Sequence, residues 1–290
     1  MPEAKWEGKS KASVGGYRVF VWIISNLGIR GAYFILLFVS YYYYLFQSTA
    51  TKSLQKFYSL AFPGLSGGAR KKLIQQNFYI FGQTLVDRMA LMMEKGDVLS
   101  CESKDGNLVN ESLNNNKGVL IISGHLGNWS IAGNFLQAKQ NKVNIIMFDN
   151  EYQKIKSFLK EKAADSYKVI PIKEDLSHLI RIRAALSDNE VVCIDGDRFL
   201  PKSRLIKTQF FGEEINLPAG PFEMASKFGP PYIFAFAVKE SKFEYAIKLS
   251  QPTQETDVDI IASQYAQAME ELLKKYPEQW FNYHDFFGAE

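Results

Sequence analysis

Cysteine and histidine are scarce in this chain. Among its 290 residues there are two cysteines, Cys101 and Cys193, and three histidines. The cysteines lie far apart, with no histidine or second cysteine at metal-ligand spacing, which excludes a disulfide framework and a zinc site. We therefore expect no metal and no cofactor. Cys193, within VVCID, is expected to be a small buried hydrophobic residue.

Net charge is also small. The formal net charge is +3, and 47% of the residues are apolar. Such a chain is neither disordered nor a general polyanion binder, so we expect no nucleic-acid partner. Its length suits one large α/β domain with a small appended element.

Charge is absent from residues 31–46, where no side chain ionises near neutral pH. As a helix this run reaches roughly 24 Å, short of the roughly 30 Å hydrocarbon core of a bilayer. We therefore expect residues 1–50 to form a membrane-associating segment that enters or lies on a bilayer, and residues 51–290 to form the α/β domain. The alternative is a buried helical hairpin packed on that domain.

The flanks of this run favour the membrane. The four tyrosines at 41–44 have amphipathic rings that prefer the headgroup level of a bilayer. Cations suited to an anionic cytoplasmic leaflet flank the apolar sequence at Arg18, Arg30, Lys52 and Lys56. No small-residue cleavage site is evident, so we interpret residues 17–47 as an anchor, a helical hairpin or a bent helix, rather than a signal peptide.

Apolar runs with strand character alternate with helical stretches in the rest of the chain. They are GVLIISG at 118–124, VNIIMF at 143–148, YKVIPI at 167–172 and VVCID at 191–195. This alternation predicts right-handed βαβ crossovers and an α/β fold with a mostly parallel central sheet flanked by helices. Later, PYIFAFAVKE and FEYAIKLS are close enough to form a hairpin at one end of that sheet.

Polar clusters follow three of these strands: SGHLGNWS the first, DNEY the second and DGDR the fourth. In parallel sheets the functional crevice lies beyond the carboxyl ends of the strands. His125 precedes a helix expected to start near Asn128, and the positive end of that helix keeps the ring neutral, as a general base requires. Exposed N–H groups there can receive an oxyanion or a phosphate, and Gly124 and Gly127 allow close approach to a substrate. A structural histidine that caps a turn is the alternative.

SGHLGNWS resembles the GHxGNWE signature of the bacterial lipid A late acyltransferase and phosphatidylinositol mannoside acyltransferase family, in the lysophospholipid acyltransferase-like superfamily. Later blocks resemble that family in order and spacing: DGDR at 195–198, QFFGEEINLPAGPFEMASKFGPPYIFAF at 209–236 and PEQWFNYHDFF at 277–287. The N-terminal GYR and the aromatic hydrophobic segment resemble its membrane anchor. The resemblance covers most of the chain and is weakest between about residues 50 and 115.

The resemblance implies transfer of a fatty acyl group from acyl carrier protein or coenzyme A to a lipid acceptor at the cytoplasmic face of the bacterial inner membrane. It makes His125 the general base and the residue at position 130 an acid that orients His125. Here Ser130 replaces that glutamate, and serine cannot supply the negative charge that offsets an imidazolium. Losing such a partner costs about 10⁴-fold in rate in the nearest triad analogue.

Several interpretations of Ser130 stay open. Another carboxylate at the same end of the sheet can replace the acid; the candidates are Asp195, Asp197, Asp149 and Glu151. Ser130 can also be a Glu→Ser replacement made to trap a substrate, or mark a lineage in which His and Ser act on a different acceptor. Finally, Ser130 can be an acyl nucleophile activated by His125, although a first-turn serine is more often a helix cap.

A basic loop, DRFLPKSRLIKTQFFG, interleaves cations with apolar residues, which suits a phosphate beside an acyl chain. The cations are Arg198, Lys202, Arg204 and Lys207. A solvated basic loop is the alternative. We select Asp197 to orient His125 and Arg198 to hold the thioester or phosphate, although their adjacency also permits a structural ion pair.

The catalytic candidates are therefore His125, Ser130 and Asp197. The substrate-binding candidates are Gly124, Asn128, Trp129, Arg198, Arg204, Phe211, Gly212 and Gly220. The rings of Phe210, Phe211, Phe222 and Phe228 either line an acyl groove or belong to the core. His178 is expected on a helix surface and His284 in an aromatic tail that packs the core or the membrane face, and neither is assigned a role.

Three functions are consistent with this reasoning. The first is a membrane-associated acyltransferase with an acyl thioester donor and a lipid or glycolipid acceptor. The second is a lipid-binding or acyl-carrier-binding protein on the same fold that has lost catalysis. The third is a hydrolase of acyl thioesters.

Overall fold

The computed structural model describes residues 14–129, 131–133, 141–148, 167–173, 175–199 and 203–288. The helices are α1 (Val14–Phe46), α2 (Ser48–Ala61), α3 (Gly67–Met92), α4 (Leu108–Leu113), α5 (Ser177–Ser187), α6 (Ala219–Phe228), α7 (Val258–Lys275) and a 3₁₀ turn (Pro277–Gln279). The strands are β1 (Ser100–Glu102), β2 (Val119–Ser123), β3 (Val143–Phe148), β4 (Lys168–Ile172), β5 (Val191–Asp195), β6 (Leu205–Phe210), β7 (Glu213–Pro218), β8 (Tyr232–Lys239) and β9 (Glu244–Leu249).

Seven strands form one sheet, in the order β1-β9-β8-β2-β5-β3-β4. Neighbouring strands are parallel except β8 and β9, which form an antiparallel hairpin. Strands β6 and β7 form a separate antiparallel hairpin. The α/β architecture with a mostly parallel sheet is confirmed. The three-residue β1, which the sequence analysis did not predict, pairs with the outer side of β9.

The centre of the sheet holds β2, between β8 and β5. Leu120 and Ile122 of β2 face one core and Val119 and Ile121 face the other. This two-sided burial explains why β2 reads as an unbroken apolar run. Because β2 and β5 are parallel and pair Ser123 with Asp195, the residues that follow both strands emerge together at one edge of the sheet.

Helix α7 covers one face of that sheet and brings Tyr265 beneath the emerging loops. Asp257 caps the helix by accepting the N–H groups of Asp259 and Ile260. Lys274 and Lys275 lie in its last turn, where the helix dipole favours cations. Tyr265 is fully buried on the inner side of α7.

Helix α1 is bent at Gly28, whose φ of +67° lies in the left-handed region that glycine tolerates. One side of α1 packs on α3. There a Cβ on Gly82 would lie 2.5 Å from Leu36 Cδ1, so the two helices approach closely. The opposite side exposes large apolar residues: Val19, Val21, Trp22, Leu27, Phe34, Leu37, Phe38, Tyr41, Tyr42, Tyr43, Leu45 and Phe46.

This exposed side makes α1 a candidate membrane anchor. Among the residues described, α1 is the one helix long and apolar enough to cross a membrane. Of its apolar 18-residue stretch, 33% is buried in the protein. Soluble proteins rarely leave so continuous an apolar surface in water. The bent helix therefore packs on the domain along one side only and is not buried on all sides.

The burial of His178 and Cys193 can be compared with the sequence-based expectations. His178 was expected on a helix surface, which is wrong: it is 8% exposed, because it lies on the same face of α5 as the buried Ile182 and Ala185. Its Nδ1 accepts the Lys173 N–H at 3.2 Å. Cys193 is half-buried in β5. Burial, assisted by Asp195, raises the pKa of its thiol to about 12, so Cys193 is not a reactive nucleophile.

Candidate active site

The loops that follow β2 and β5 meet at His125 and Asp197. Asp197 Oδ1 lies 2.8 Å from His125 Nδ1, and Asp197 Oδ2 accepts the backbone N–H of His125 at 2.8 Å. The side chain of Asp197 is 1% exposed, whereas that of His125 is 18% exposed. One ring nitrogen thus contacts a buried carboxylate, and the other, Nε2, lies 3.9 Å from the partly exposed Asp195.

The backbone around His125 is held too tightly for side chains at two positions. A Cβ on Gly124 would lie 2.5 Å from the Tyr265 hydroxyl, which donates to Ser123 O at 2.7 Å. A Cβ on Gly127 would lie 2.0 Å from Ala237 O, and its φ is +75°. The room that these glycines leave is therefore filled by protein atoms.

A C-terminal segment, residues 277–284, runs alongside the His125 loop. Phe281 donates its N–H to His125 O at 2.9 Å, and Gly127 donates its N–H to Gln279 O at 2.9 Å. Leu126 and Trp280 form an antiparallel bridge between these two bonds. The loop is thus fixed on one side like a strand in a sheet.

Trp280 also contacts the buried carboxylate, because its indole Nε1 donates to Asp197 Oδ2 at 3.3 Å. Sequence reasoning noted the block that contains Trp280 but gave this residue no role. The aromatic type alone could not reveal the bond, since Trp280 and Asp197 are 83 positions apart.

Asp197 is held in its ionised form. Burial would raise the pKa of this carboxyl, but the charges of His125 and Arg198 and the hydrogen bonds from His125 hold it well below its usual range. Arg198 is fixed beside the pair, because its Nη2 donates to Phe281 O at 2.9 Å.

Three backbone N–H groups of the His125 loop already have acceptors. His125 donates to Asp197, Gly127 to Gln279 O and Asn128 to Ala237 O. The expectation that exposed N–H groups of this turn receive an oxyanion therefore fails for these three. The helix that follows Asn128 begins at Trp129, close to where the sequence predicts it.

Asn128 and Trp129 contact α3. The buried Asn128 has its Nδ2 3.4 Å from Thr84 O and 3.5 Å from the Tyr245 hydroxyl. The Trp129 ring lies under the Arg88 guanidinium, at 4.7 Å. Both residues therefore fix the start of this helix to its neighbours.

Arg204 and Gly220 lie at the open end of the β6–β7 hairpin, away from its turn. The Arg204 side chain is 78% exposed and pairs with Glu223 of α6. Gly220 is exposed in the first turn of α6, and open space surrounds the position of a Cβ. Arg204 therefore fits the alternative interpretation, in which the basic loop is solvated.

Phe211 and Gly212 form the turn of the β6–β7 hairpin, where Gly212 has a φ of +80°. The Phe211 N–H donates to Glu270 Oε1 of α7 at 2.6 Å. The Phe211 ring lies 5.0 Å from that of Phe210, which lies 5.4 Å from that of Trp280. An aromatic cluster thus extends from the hairpin turn to Trp280, which bonds Asp197. Phe210 and Phe222 are buried core residues.

Four candidates lie outside the described residues: Ser130, Lys202, Asp149 and Glu151. Their roles stay predictions. Within the described residues no three His, Cys, Asp or Glu side chains gather as metal ligands.

His284 belongs to the surroundings of this site, which sequence reasoning missed. Burial lowers the pKa of His284 to about 4, and the charges of Arg198 and His125 act in the same direction while Asp197 and Asp285 oppose it. His284 is therefore neutral near pH 7, and its electrostatic neighbours are the residues of the site.

A second buried ion pair lies between α1 and the sheet. Lys239 Nζ is 2.6 Å from Asp87 Oδ2, and the two side chains are 4% and 0% exposed. The hydroxyls of Tyr33 and Tyr245 also donate to Asp87. Burial lowers the pKa of Lys239, and Asp87 opposes this. The pair joins α1, α3, β8 and β9.

Comparison of the sequence with known proteins shows the family of this chain. The family described as bacterial lipid A biosynthesis acyltransferase matches residues 13–287. A phosphatidylinositol mannoside acyltransferase of Mycolicibacterium smegmatis is 23% identical over 172 residues, which cover 58% of this chain and 56% of that protein. The chain thus spans a little over half the length of this curated relative. Because the family match covers nearly the whole chain, the protein belongs to the bacterial lipid A biosynthesis acyltransferase family.

Proposed function

We propose that this protein transfers a fatty acyl group from a thioester of acyl carrier protein or coenzyme A to a hydroxyl or amine of a lipid or glycolipid. The observation that carries the proposal is the His125–Asp197 pair, with Nδ1 on a buried carboxylate and the ring partly exposed. Family membership supports the lipid and acyl chemistry.

His125 acts as the general base. Its Nε2 takes the proton of the acceptor group, whose oxygen or nitrogen then attacks the thioester carbonyl carbon. The tetrahedral intermediate collapses by breaking the C–S bond, and the thiolate receives the proton from His125. The products are the acylated lipid and the free thiol, and no redox step or cofactor is involved.

Asp197 serves as the carboxylate that orients His125. An ionised partner at Nδ1 fixes the tautomer with Nε2 as the acceptor and stabilises the imidazolium that forms when the proton arrives. The low pKa of Asp197 keeps this charge in place. The resemblance to the GHxGNWE signature implies this role for position 130. With Asp197 in that role, Ser130 is not required to be an acid or a nucleophile.

The exposed side of α1 holds the site at the cytoplasmic face of the bacterial inner membrane. Trp22, Tyr41 and Tyr42 lie on that side, and the amphipathic rings of tryptophan and tyrosine favour the interfacial region. We assign residues 1–50 to membrane association and residues 51–290 to the α/β domain.

Substitution on the exposed side tests this location better than deletion, because α1 also packs on α3 through Tyr33. Phe34→Glu together with Phe38→Glu should release the protein from anionic vesicles in a sedimentation assay while its thermal unfolding stays unchanged. A matched control is Gln55→Glu on α2, an exposed polar position. Undiminished sedimentation of the double variant at high salt would show that the anchor lies elsewhere.

One assay separates the candidate functions. Purified protein is incubated with ¹⁴C-palmitoyl thioesters of acyl carrier protein and of coenzyme A, together with vesicles of a bacterial lipid extract. We expect new labelled lipid, and the preferred thioester identifies the donor. Labelled free fatty acid alone would indicate a hydrolase, and unreacted donor retained on the protein would indicate a binding protein.

A further inference from the structure

The C-terminal segment presents two faces to two different parts of the molecule. Phe281 packs its ring on Phe81 of α3, and the Tyr283 hydroxyl donates to Asn77 of α3. Trp280 instead contacts Asp197. Phe281 and Tyr283 thus lie on one side and Trp280 on the other, as in an extended segment. From this alternation we infer that Asn282 is on the side of Trp280, which contacts Asp197.

Asn282 has no hydrogen-bond partner for either side-chain atom among the described residues, although it is 5% exposed. A buried amide without partners is costly, and such groups are rare in folded proteins. Its main-chain neighbour Phe281 bonds His125 O and Arg198. The amide without partners thus belongs to the residue that directly follows the one bonded to the His125 loop.

Asn77 shows what a structural asparagine looks like against the same segment. Its Nδ2 donates to Glu278 O at 3.0 Å and to Trp280 O at 2.8 Å, and its Oδ1 accepts the Tyr283 hydroxyl at 2.9 Å. Asn77 is fully satisfied by the protein. Asn282, on the other face, is not.

Acyl transfer requires hydrogen-bond donors for the oxygen that becomes negative in the tetrahedral intermediate. Three N–H groups of the His125 loop are already used within the protein. We propose, on the basis of the function proposed above, that Asn282 is a further catalytic residue whose Nδ2 donates to the thioester oxygen as it becomes an oxyanion. Both amide atoms are closed to solvent, so substrate entry has to displace a neighbouring side chain. A water-excluded donor is the most effective kind.

The test compares Asn282→Leu with Asn77→Leu in the full-length protein, using ¹⁴C-palmitoyl-coenzyme A, ¹⁴C-palmitoyl acyl carrier protein and lipid-extract vesicles. We expect Asn282→Leu to lower kcat by about 10²–10³-fold, as loss of one oxyanion donor does, with little change in the KM for the donor. Because leucine has the same branching and removes an unsatisfied group, its Tm should stay the same or rise. Asn77→Leu should lower Tm, since it leaves several polar groups unpaired.

An Asn282→Leu enzyme with kcat within about twofold of the wild type would overturn the proposal. So would a fall in Tm as large as that of Asn77→Leu, which would make Asn282 structural. Asn282→Ala replaces the leucine variant if the latter does not fold. A wild-type chain that forms no labelled lipid with either donor ends both proposals, whereas an active wild type with an equally active variant ends only this one.

Discussion

Asp197 and Asp87 are both buried carboxylates that pair with a basic side chain, yet their surroundings differ. Asp197 accepts bonds from the His125 ring, the His125 main chain and Trp280. Asp87 accepts bonds from Lys239 and from the two tyrosines Tyr33 and Tyr245. The first cluster lies where β2 and β5 end, and the second lies under α1.

The difference that matters is the exposure of the partner. The His125 side chain is 18% exposed and has a second nitrogen that can exchange a proton, whereas the Lys239 side chain is 4% exposed and donates to Asp87 and both tyrosines. A sealed pair can only fix structure, since a buried charge without its partner is very unfavourable. An accessible imidazole on a buried carboxylate can do chemistry. Burial of a carboxylate alone therefore does not identify a catalytic one.

The largest effect on activity is expected from substitution of His125. His125→Ala should lower turnover in the acyl transfer assay by about 10²–10⁴-fold, the contribution of one general base. Circular dichroism should keep the wild-type shape, whereas Tm should fall, because the buried Asp197 loses the ring that contacts its Oδ1. Near-normal turnover would exclude His125 as the base.

The matching change in the buried Lys239–Asp87 pair should affect the stability of the fold rather than the reaction rate. Asp87→Ala leaves Lys239 buried without a counter-charge and should lower the free energy of unfolding by about 3–5 kcal/mol in urea denaturation. Asp87→Leu combined with Lys239→Met should recover much of this loss, since an apolar pair of similar size replaces the charges. A double variant as unstable as the single one would contradict this account.

Asp197→Asn tests the role of the negative charge, because it removes the charge of the Asp197 side chain but keeps its shape. We expect turnover to fall by about 10²-fold or more, toward the loss seen for the same change in a Ser-His-Asp triad. An unaffected rate would leave Asp197 a structural residue.

The same variant has a pH signature. Because the pKa of Asp197 is lower in the folded state, its charge contributes stability that is fully present above the unfolded value of about 3.9 and is lost as pH falls below it. Acid unfolding below about pH 4 should therefore be less steep in Asp197→Asn than in the wild type.

His284 should make a smaller contribution at milder pH. Its folded pKa of about 4 lies below the usual histidine value of 6.5, so between these two values the unfolded chain binds a proton that the folded chain does not. Tm should fall as pH decreases from 6.5 to about 4, and His284→Phe should reduce this fall. Equal pH profiles of Tm for the two proteins would refute this.

The smallest effect is expected at Ser130. If Asp197 already serves His125, Ser130→Ala should change the rate by less than about twofold, which is below 0.5 kcal/mol. A large loss would show that the serine takes part in the reaction, in a role that Asp197 does not replace.

Much of this protein follows from local sequence pattern. Strand and helix alternation, the aromatic α1 and the position of His125 directly after β2 are all set by residues close together in the chain, where side-chain periodicity is informative. Asp197 was selectable for the same reason, because it follows a buried strand and parallel strands end at a common edge.

Other features depend on which distant segments become neighbours, and periodicity does not encode strand order. Pairing of β2 with β5 and β8 brings Asp197 to His125, 72 positions away. Trp280 and Asp197 are 83 positions apart, and Lys239 and Asp87 are 152 apart. The sequence by itself thus determined the elements and the position of the candidate base. The tertiary structure alone decided which carboxylate has an accessible histidine and which is paired with a buried lysine, because that depends on packing between remote parts of the chain.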